Sequence, residues 1–202
     1  MNNYKSLYSD LKFERKELFQ FIRETYSIRE VLYPGCSIHI TPSLYFPYVV
    51  YVDQSQAAAQ FFAEEKALNE FVNRKKSYKQ TAYVRFIHQD YSAPLPFVDG
   101  SFDLVLALFA GGISAACARY LKIGGILITN NHQDDAVDAA RDDRLVFKAI
   151  IRFNKGEYHL EEEIRDERKN TAPKSSSRYL KQTSQGMVYT ENEIYHVFKR
   201  IR

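Results

Sequence analysis

Residues 31–53 read VLYPGCSIHITPSLYFPYVVYVD. A short apolar run, Val31-Leu32-Tyr33, breaks at Pro34-Gly35. A second run, Tyr48-Val49-Val50-Tyr51-Val52, stops at Asp53. Short unbroken apolar runs bounded by turn residues fit strands buried on both faces. The first ends in a glycine turn and the second in a carboxylate. In a doubly wound α/β sheet both ends lie at the carboxyl edge, where ligands bind. There glycine admits backbone close to a ligand, and an acid pairs with ribose hydroxyls. Any βαβ unit that ends on aspartate shares this pattern, so the rest of the chain must decide. Residues 36–47 hold two prolines. No long helix fits there, only a turn or two around Ser43-Leu44-Tyr45-Phe46.

Working outward, Tyr4, Leu7, Tyr8, Leu11, Leu18, Phe21 and Ile22 recur at helical spacing, which predicts one or two amphipathic helices within residues 1–28. After Asp53, helical spacing returns at Ala58, Phe61, Phe62, Leu68, Phe71 and Val72. It predicts a helix over 54–73 whose carboxyl end is favoured by Arg74-Lys75-Lys76. Residues 83–88 (YVRFIH) read as a third strand and 92–100 as a Pro-containing loop. Residues 102–109 (FDLVLALF) read as a fourth strand, fully buried. Gly111-Gly112 is a turn, 113–121 a short helix stopped by Gly124-Gly125, and 125–129 a fifth strand. Residues 134–143 read as a short helix. Strands at 145–153 and 158–163 flank an Asn154-Lys155-Gly156 hairpin turn. Residues 165–188 are polar and basic and read as a mobile loop. Residues 195–201 alternate and read as an edge strand. Strands alternating with crossovers predict one α/β domain over 1–202. Its sheet is a doubly wound, Rossmann-like, mostly parallel one of about seven strands, with helices on both faces and antiparallel strands near the carboxyl terminus.

The chain has 202 residues, enough for one sizeable core, and a net charge of +3. That charge neither requires nor excludes nucleic acid. It carries 15 Tyr and 14 Phe but no Trp. Cys36 and Cys117 show no metal or redox spacing, which favours a reduced, cytoplasmic setting. No apolar run approaches ~20 residues, and the polar amino terminus is unlike a signal peptide. No membrane association is expected.

Four segments together resemble the class I S-adenosylmethionine-dependent methyltransferases. Residues 31–36 (VLYPGC) are similar to the first motif, normally an apolar pair, an acid and a Gly-x-Gly turn. Residues 50–53 (VYVD) resemble the second, whose acid holds the ribose. Gln89-Asp90-Tyr91 followed by residues 95–105 (LPFVDGSFDLV) is similar to the segment whose acid holds the adenine amino group. Residues 121–127 (LKIGGIL) resemble the turn into the fifth strand. The resemblance covers residues 31–129. It implies S-adenosyl-L-methionine as cofactor, with Tyr33, Gly35, Cys36, Ser37, Asp53, Gln54, Asp90 and Tyr91 in its site. This chain departs from the family in the first motif. Tyr33 stands where the acid would be, Ser37 replaces the second glycine, His39 the next, and Pro34 removes a backbone donor.

Methyl transfer from a sulfonium is an in-line displacement that needs alignment and exclusion of water more than a dedicated acid. A catalytic residue therefore has no required signature. His39 and the run Asn130-Asn131-His132 sit at expected strand ends and are candidate bases, with backbone capping as the plainer role. The family's Asn-Pro-Pro-aromatic signature is missing. The five histidines show no paired metal spacing, and no Gly-x-Ser-x-Gly elbow or P-loop is present. The basic residues 165–202, interleaved with Tyr179, Tyr189 and Tyr195, leave nucleic acid open as a partner. A small-molecule acceptor is the first expectation. Two further functions stay open: a binding or regulatory protein on the same fold with a degenerate cofactor site, and a nicotinamide-dependent oxidoreductase. The second lacks Gly-x-Gly-x-x-Gly.

Overall fold

The computed structural model describes residues 4–9, 14–162, 177–183, 186–192 and 194–202; for residue 7 and residues 177–192 only the backbone course is described. Ten strands and five α-helices occur among them. They are α1 (Lys16–Thr25), β1 (Glu30–Pro34), β2 (Tyr48–Asp53), α2 (Gln56–Phe62), α3 (Glu65–Lys75), β3 (Tyr83–His88), β4 (Phe102–Ala107), α4 (Ile113–Cys117), β5 (Leu121–Thr129), α5 (Asp135–Arg141), β6 (Leu145–Asn154), β7 (Glu157–Glu162), β8 (Ser177–Thr183), β9 (Gly186–Asn192) and β10 (Ile194–Arg200).

Eight strands form one sheet in the order β3-β2-β1-β4-β5-β10-β6-β7. Strands β1 to β5 pair in parallel, while β10 runs antiparallel to both β5 and β6. β7 adds an antiparallel edge. The fold is therefore the expected doubly wound α/β sheet. Its apolar runs are buried on both faces because each face is covered. One face packs Val31, Tyr33, Val49, Tyr51, Leu104 and Leu106 against Leu18, Phe19 and Ile22 of α1, Phe61 and Phe62 of α2, and Leu68 and Val72 of α3. The other packs Leu32, Val50, Val52, Val105 and Leu127 against Ile113 and Cys117 of α4, Ala136 and Ala139 of α5, and Leu95.

Several elements differ from the sequence expectation. β10 is an interior strand, not an edge. Its residues Ile194, Tyr195, Val197 and Phe198 are all buried; its backbone pairs with β5 on one side and β6 on the other, while Tyr195 and Val197 pack on one face of the sheet and Phe198 on the other. The single helix expected over 54–73 is two, parted at Ala63-Glu64. A continuous helix would set Glu65 in the middle of the apolar stripe formed by Ala58, Phe62, Leu68 and Val72; the break keeps that carboxylate exposed. The helix expected over 113–121 closes at Cys117 into a 3-10 turn (Ala118–Tyr120), and β5 starts at Leu121, ahead of the two glycines. Residues 177–183, expected in a loop, pair as β8 with β9. Residues 186–188 of the expected loop open β9, and its residues 165–176 and 184–185 lie outside the described residues.

The short crossover behaves as its prolines require. A 3-10 turn (Thr41–Leu44) replaces a helix, with Tyr51 OH donating to the Ile40 carbonyl and Ser43 N donating to Tyr51 OH. At the amino edge, Lys122 bridges Glu30 and Asp103 (2.7 Å to Asp103), and Asp103 also accepts the backbone N–H groups of Arg29 and Glu30 at 2.9 and 2.8 Å. This cluster ties β1, β4 and β5 together away from the ligand edge. No helix among the described residues is long and apolar enough to cross a membrane.

Candidate functional site

The chain order reverses between β1 and β4, so the switch point lies at the carboxyl ends of those two strands. Four of the expected site residues meet around it. Gly35 has φ +63°, and its N–H donates to Val52 O at 2.8 Å, pinning the turn to β2. A Cβ on Gly35 would sit 2.5 Å from Ala110 Cβ and 3.5 Å from the Tyr91 ring. The loop after β4 and the tyrosine after β3 therefore close on this glycine. Tyr91 is held there by a 2.8 Å bond from its hydroxyl to Gly111 O.

Asp53 closes β2, half-buried, and organises the turn. Oδ2 accepts the Ser37 N–H and Oδ1 the Ser55 N–H, each at 2.8 Å. Ser55 in turn caps α2 through Ala58 N. Asp90 follows β3 and is exposed. Its carboxyl is held below the usual range by the Ser92 backbone N–H at 2.9 Å. Gln54 is exposed at the side chain, and its carbonyl accepts from His88 Nε2.

Tyr33, Cys36 and His39 turn the other way. Tyr33 is 3 % and His39 2 % exposed. His39 Nε2 donates to Glu14 O at 3.2 Å, and its Nδ1 hydrogen-bonds Tyr33 OH at 3.0 Å. The Tyr8 ring stacks on the imidazole at 4.7 Å. His39 is thus a structural group under the amino-terminal segment, with both nitrogens engaged. The Cys36 side chain is buried in the core, and burial, reinforced by the Asp53 carboxylate, pushes its thiol well up. Asn131 Oδ1 accepts Ala136 N at 2.9 Å, the capping role. His132 is exposed, its ring 6.5 Å from that of Phe109. Among the described residues, no three of His, Cys, Asp or Glu converge as a metal-binding group.

Sequence reasoning named Asn130-Asn131-His132 after β5 but missed the rest of this edge. Phe109 follows β4 with φ +60°, and Asn131, Gln133 and Asp134 after β5 are also left-handed. Non-glycine residues in this region are strained and gather at functional sites. The Arg15 guanidinium, 5 % exposed, lies 4.5 Å over the Phe109 ring, and its Nε donates to Tyr195 OH at 3.2 Å. No local pattern announces this, because Arg15 and Tyr195 are 180 residues apart.

The nucleoside end of the implied cofactor fits the residues present. Each oxygen of Asp53 accepts one backbone N–H and keeps a second acceptor site for a vicinal diol, and the Asp90 carboxyl is open to an amino group. The methionine end differs from the family pattern. Tyr33, in place of the acid, gives its hydroxyl to His39.

No family model and no curated protein matches the sequence. Solved structures do match in fold. A methyltransferase from Thermotoga maritima, described as a possible histamine N-methyltransferase, aligns with a TM-score of 0.54 at 13% identity, over 100% of this chain and 95% of that one. The N-methyltransferase NodS from Bradyrhizobium japonicum gives 0.52 at 10% identity, over 96% and 98%. Geranyl diphosphate C-methyltransferase from Streptomyces coelicolor, solved with S-adenosyl-L-homocysteine, gives 0.50 at 17% identity, over 67% of this chain and 62% of that one. With the strand order and the antiparallel insertion of β10, these similarities show that the chain shares the Rossmann-like α/β fold of these methyltransferases.

Proposed function

We propose that the chain binds S-adenosyl-L-methionine at this edge and transfers its methyl group to a small-molecule acceptor. The observation that carries the proposal is the placement of Asp53 and Asp90 at the ends of β2 and β3, beside the Gly35 turn, at the switch point of the sheet. The methyltransferases that share the fold support it. When bound, the cofactor supplies a sulfonium methyl carbon, which the acceptor's lone pair takes as the carbon–sulfur bond breaks, leaving a neutral thioether. In this reading Asp53 accepts from the ribose hydroxyls and Asp90 from the adenine amino group. Gly35, Cys36 and Ser37 present backbone to the methionine side, with Tyr91 and Gln54 at the rim. The chain's contribution is alignment and exclusion of water.

Calorimetric titration with S-adenosylmethionine and S-adenosylhomocysteine, with NAD as control, tests this. Saturable binding of the sulfur nucleosides is expected, without NAD binding. Asp90→Ala removes an exposed carboxyl whose described contact is Ser92, so the fold should be kept while affinity falls about tenfold or more. Absence of binding by folded wild-type protein at millimolar cofactor refutes the proposal.

A further inference from the structure

Two side chains at this edge hold one segment by its two ends, and each is left with an unpaired atom. The segment follows β4 and runs from Phe109 into the first turn of α4 at Ser114. At its start Asn130 Oδ1 accepts the Phe109 N–H at 3.1 Å. That bond fixes the amide, so Nδ2 is a donor, buried and without a hydrogen-bond partner among the described residues. At its end Asp135 Oδ1 accepts the Ser114 N–H at 2.8 Å, while Oδ2 is likewise buried and unpaired. Among the described residues these two are the buried side-chain atoms in that condition. Native interiors pair nearly all such atoms, and each unpaired one destabilises the arrangement that buries it.

The backbone adds to this cost. Phe109 is left-handed at φ +60°, and so are Asn131, Gln133 and Asp134 after β5, at +57°, +52° and +62°. Non-glycine residues in this region gather where a segment switches between arrangements. The middle of the segment is Gly111-Gly112, with Gly112 at φ +70°. Gly111 lies against Gln133, whose Cβ and Oε1 are 2.7 and 2.2 Å from where a Gly111 Cβ would stand. The Tyr91 hydroxyl donates to the Gly111 carbonyl at 2.8 Å. Ala110 packs on Gly35, the turn assigned to the methionine side of the cofactor. Flexible glycines, strained flanks and clamps with unpaired atoms describe a segment held in a costly closed position.

We propose that residues 109–114 form a gate over the Gly35 turn, latched shut by Tyr91 and opened by the amino-acid arm of the cofactor. The identity of the ligand rests on the methyltransferase reading; the motion rests on the contacts of the segment itself. Opening lifts Ala110 off Gly35, breaks the Tyr91–Gly111 bond and lets water reach Asn130 Nδ2 and Asp135 Oδ2. Affinity for a ligand that needs the open gate is reduced by the fraction of molecules that are open. Asp53 and Asp90 stand at the ends of β2 and β3, across β1 from the gate at β4, so the nucleoside end binds without it.

The test compares wild type with Tyr91→Phe, which removes the latch hydroxyl and keeps the ring, and Gly111→Ala, whose Cβ pushes the segment off Gln133. Calorimetry uses S-adenosylhomocysteine and 5′-methylthioadenosine, a nucleoside thioether without the amino-acid arm. Hydrogen exchange read by mass spectrometry follows peptides across 109–114, β4 and β5. Loss of a closed-state contact should tighten S-adenosylhomocysteine about two- to tenfold and leave 5′-methylthioadenosine unchanged. Exchange should rise in 109–114 and stay level in β4 and β5. Tighter S-adenosylhomocysteine binding by either folded variant supports the gate, because a merely structural loop would give weaker or equal binding. Weaker or equal binding by both overturns it, as does exchange that rises equally through β4 and β5. Should neither nucleoside bind wild type or variants, the methyltransferase reading fails instead. Exchange then decides the gate, which a rise confined to 109–114 supports and its absence overturns. If Gly111→Ala fails to fold, Tyr91→Phe carries the test.

Discussion

Gly35→Ala probes the turn at the centre of the site, and its cost has two separable parts. The backbone sits at φ +63°, where a Cβ costs about 1–2 kcal/mol. The same Cβ would lie 2.5 Å from Ala110 Cβ, and relieving that overlap by shifting packed backbone costs about 1–3 kcal/mol. The total is about 2–5 kcal/mol. For a chain of this size each kcal/mol moves the thermal midpoint by about 2–4 °C, so a drop of roughly 10 °C is expected. Ala110→Gly removes the colliding atom. In that background Gly35→Ala should cost only the conformational part, leaving a coupling of about 1–3 kcal/mol in a double-mutant cycle read by urea denaturation. Strict additivity, or a neutral Gly35→Ala, would refute the claim that the loop after β4 closes on the β1 turn. It would also return the glycine to the simpler role of admitting a ligand.

Two further outcomes are expected. Burial alone would raise the Asp103 carboxyl, but the Lys122 ammonium and the backbone N–H groups of Glu30 and Arg29 outweigh it and hold the group below the usual carboxylate range. A carboxyl depressed in the folded state stabilises above its unfolded value, near 4, and loses that contribution as pH falls through its folded value. Lys122→Met, at a half-exposed pair, should therefore cost on the order of 1 kcal/mol at pH 7. The gap to wild type in urea denaturation should narrow at pH 3; a gap independent of pH would contradict the role given to Lys122. For the cysteines, burial pushes the Cys36 thiol well up and Cys117 to about 12, so neither forms thiolate near neutrality. A thiol-disulfide reagent should modify both only after unfolding in urea; rapid native labelling of Cys36 would mean that the Gly35-Cys36 turn opens.

Local pattern made β1, β2, β3 and β4 legible to within a residue or two. Each is a contiguous apolar or alternating run between turn residues, and its burial is decided by its own composition. Asp53, Gly35 and Asp90 were legible for the same reason: they stand where such runs stop. The helix over 54–73 was legible as helical but not as two pieces, since the break follows from which side of the helix the core touches. His39 illustrates the opposite limit. Next to a glycine turn it reads as a candidate base, yet Tyr33 on β1 and the Glu14 carbonyl take both nitrogens.

Taken alone, the sequence determined the α/β class, the parallel β1–β5 region and the acids at its carboxyl edge, because periodicity and turn chemistry act over a few residues. Tertiary structure alone decided that residues 194–200 fill the gap between β5 and β6, that Ala110 and Tyr91 close on Gly35, and that Arg15, Phe109, Asn130 and Tyr195 share one corner. Those contacts join residues up to 180 positions apart. No local spacing encodes them; they arise only when the sheet's hydrogen-bond register and the burial of both faces bring distant segments to the same edge.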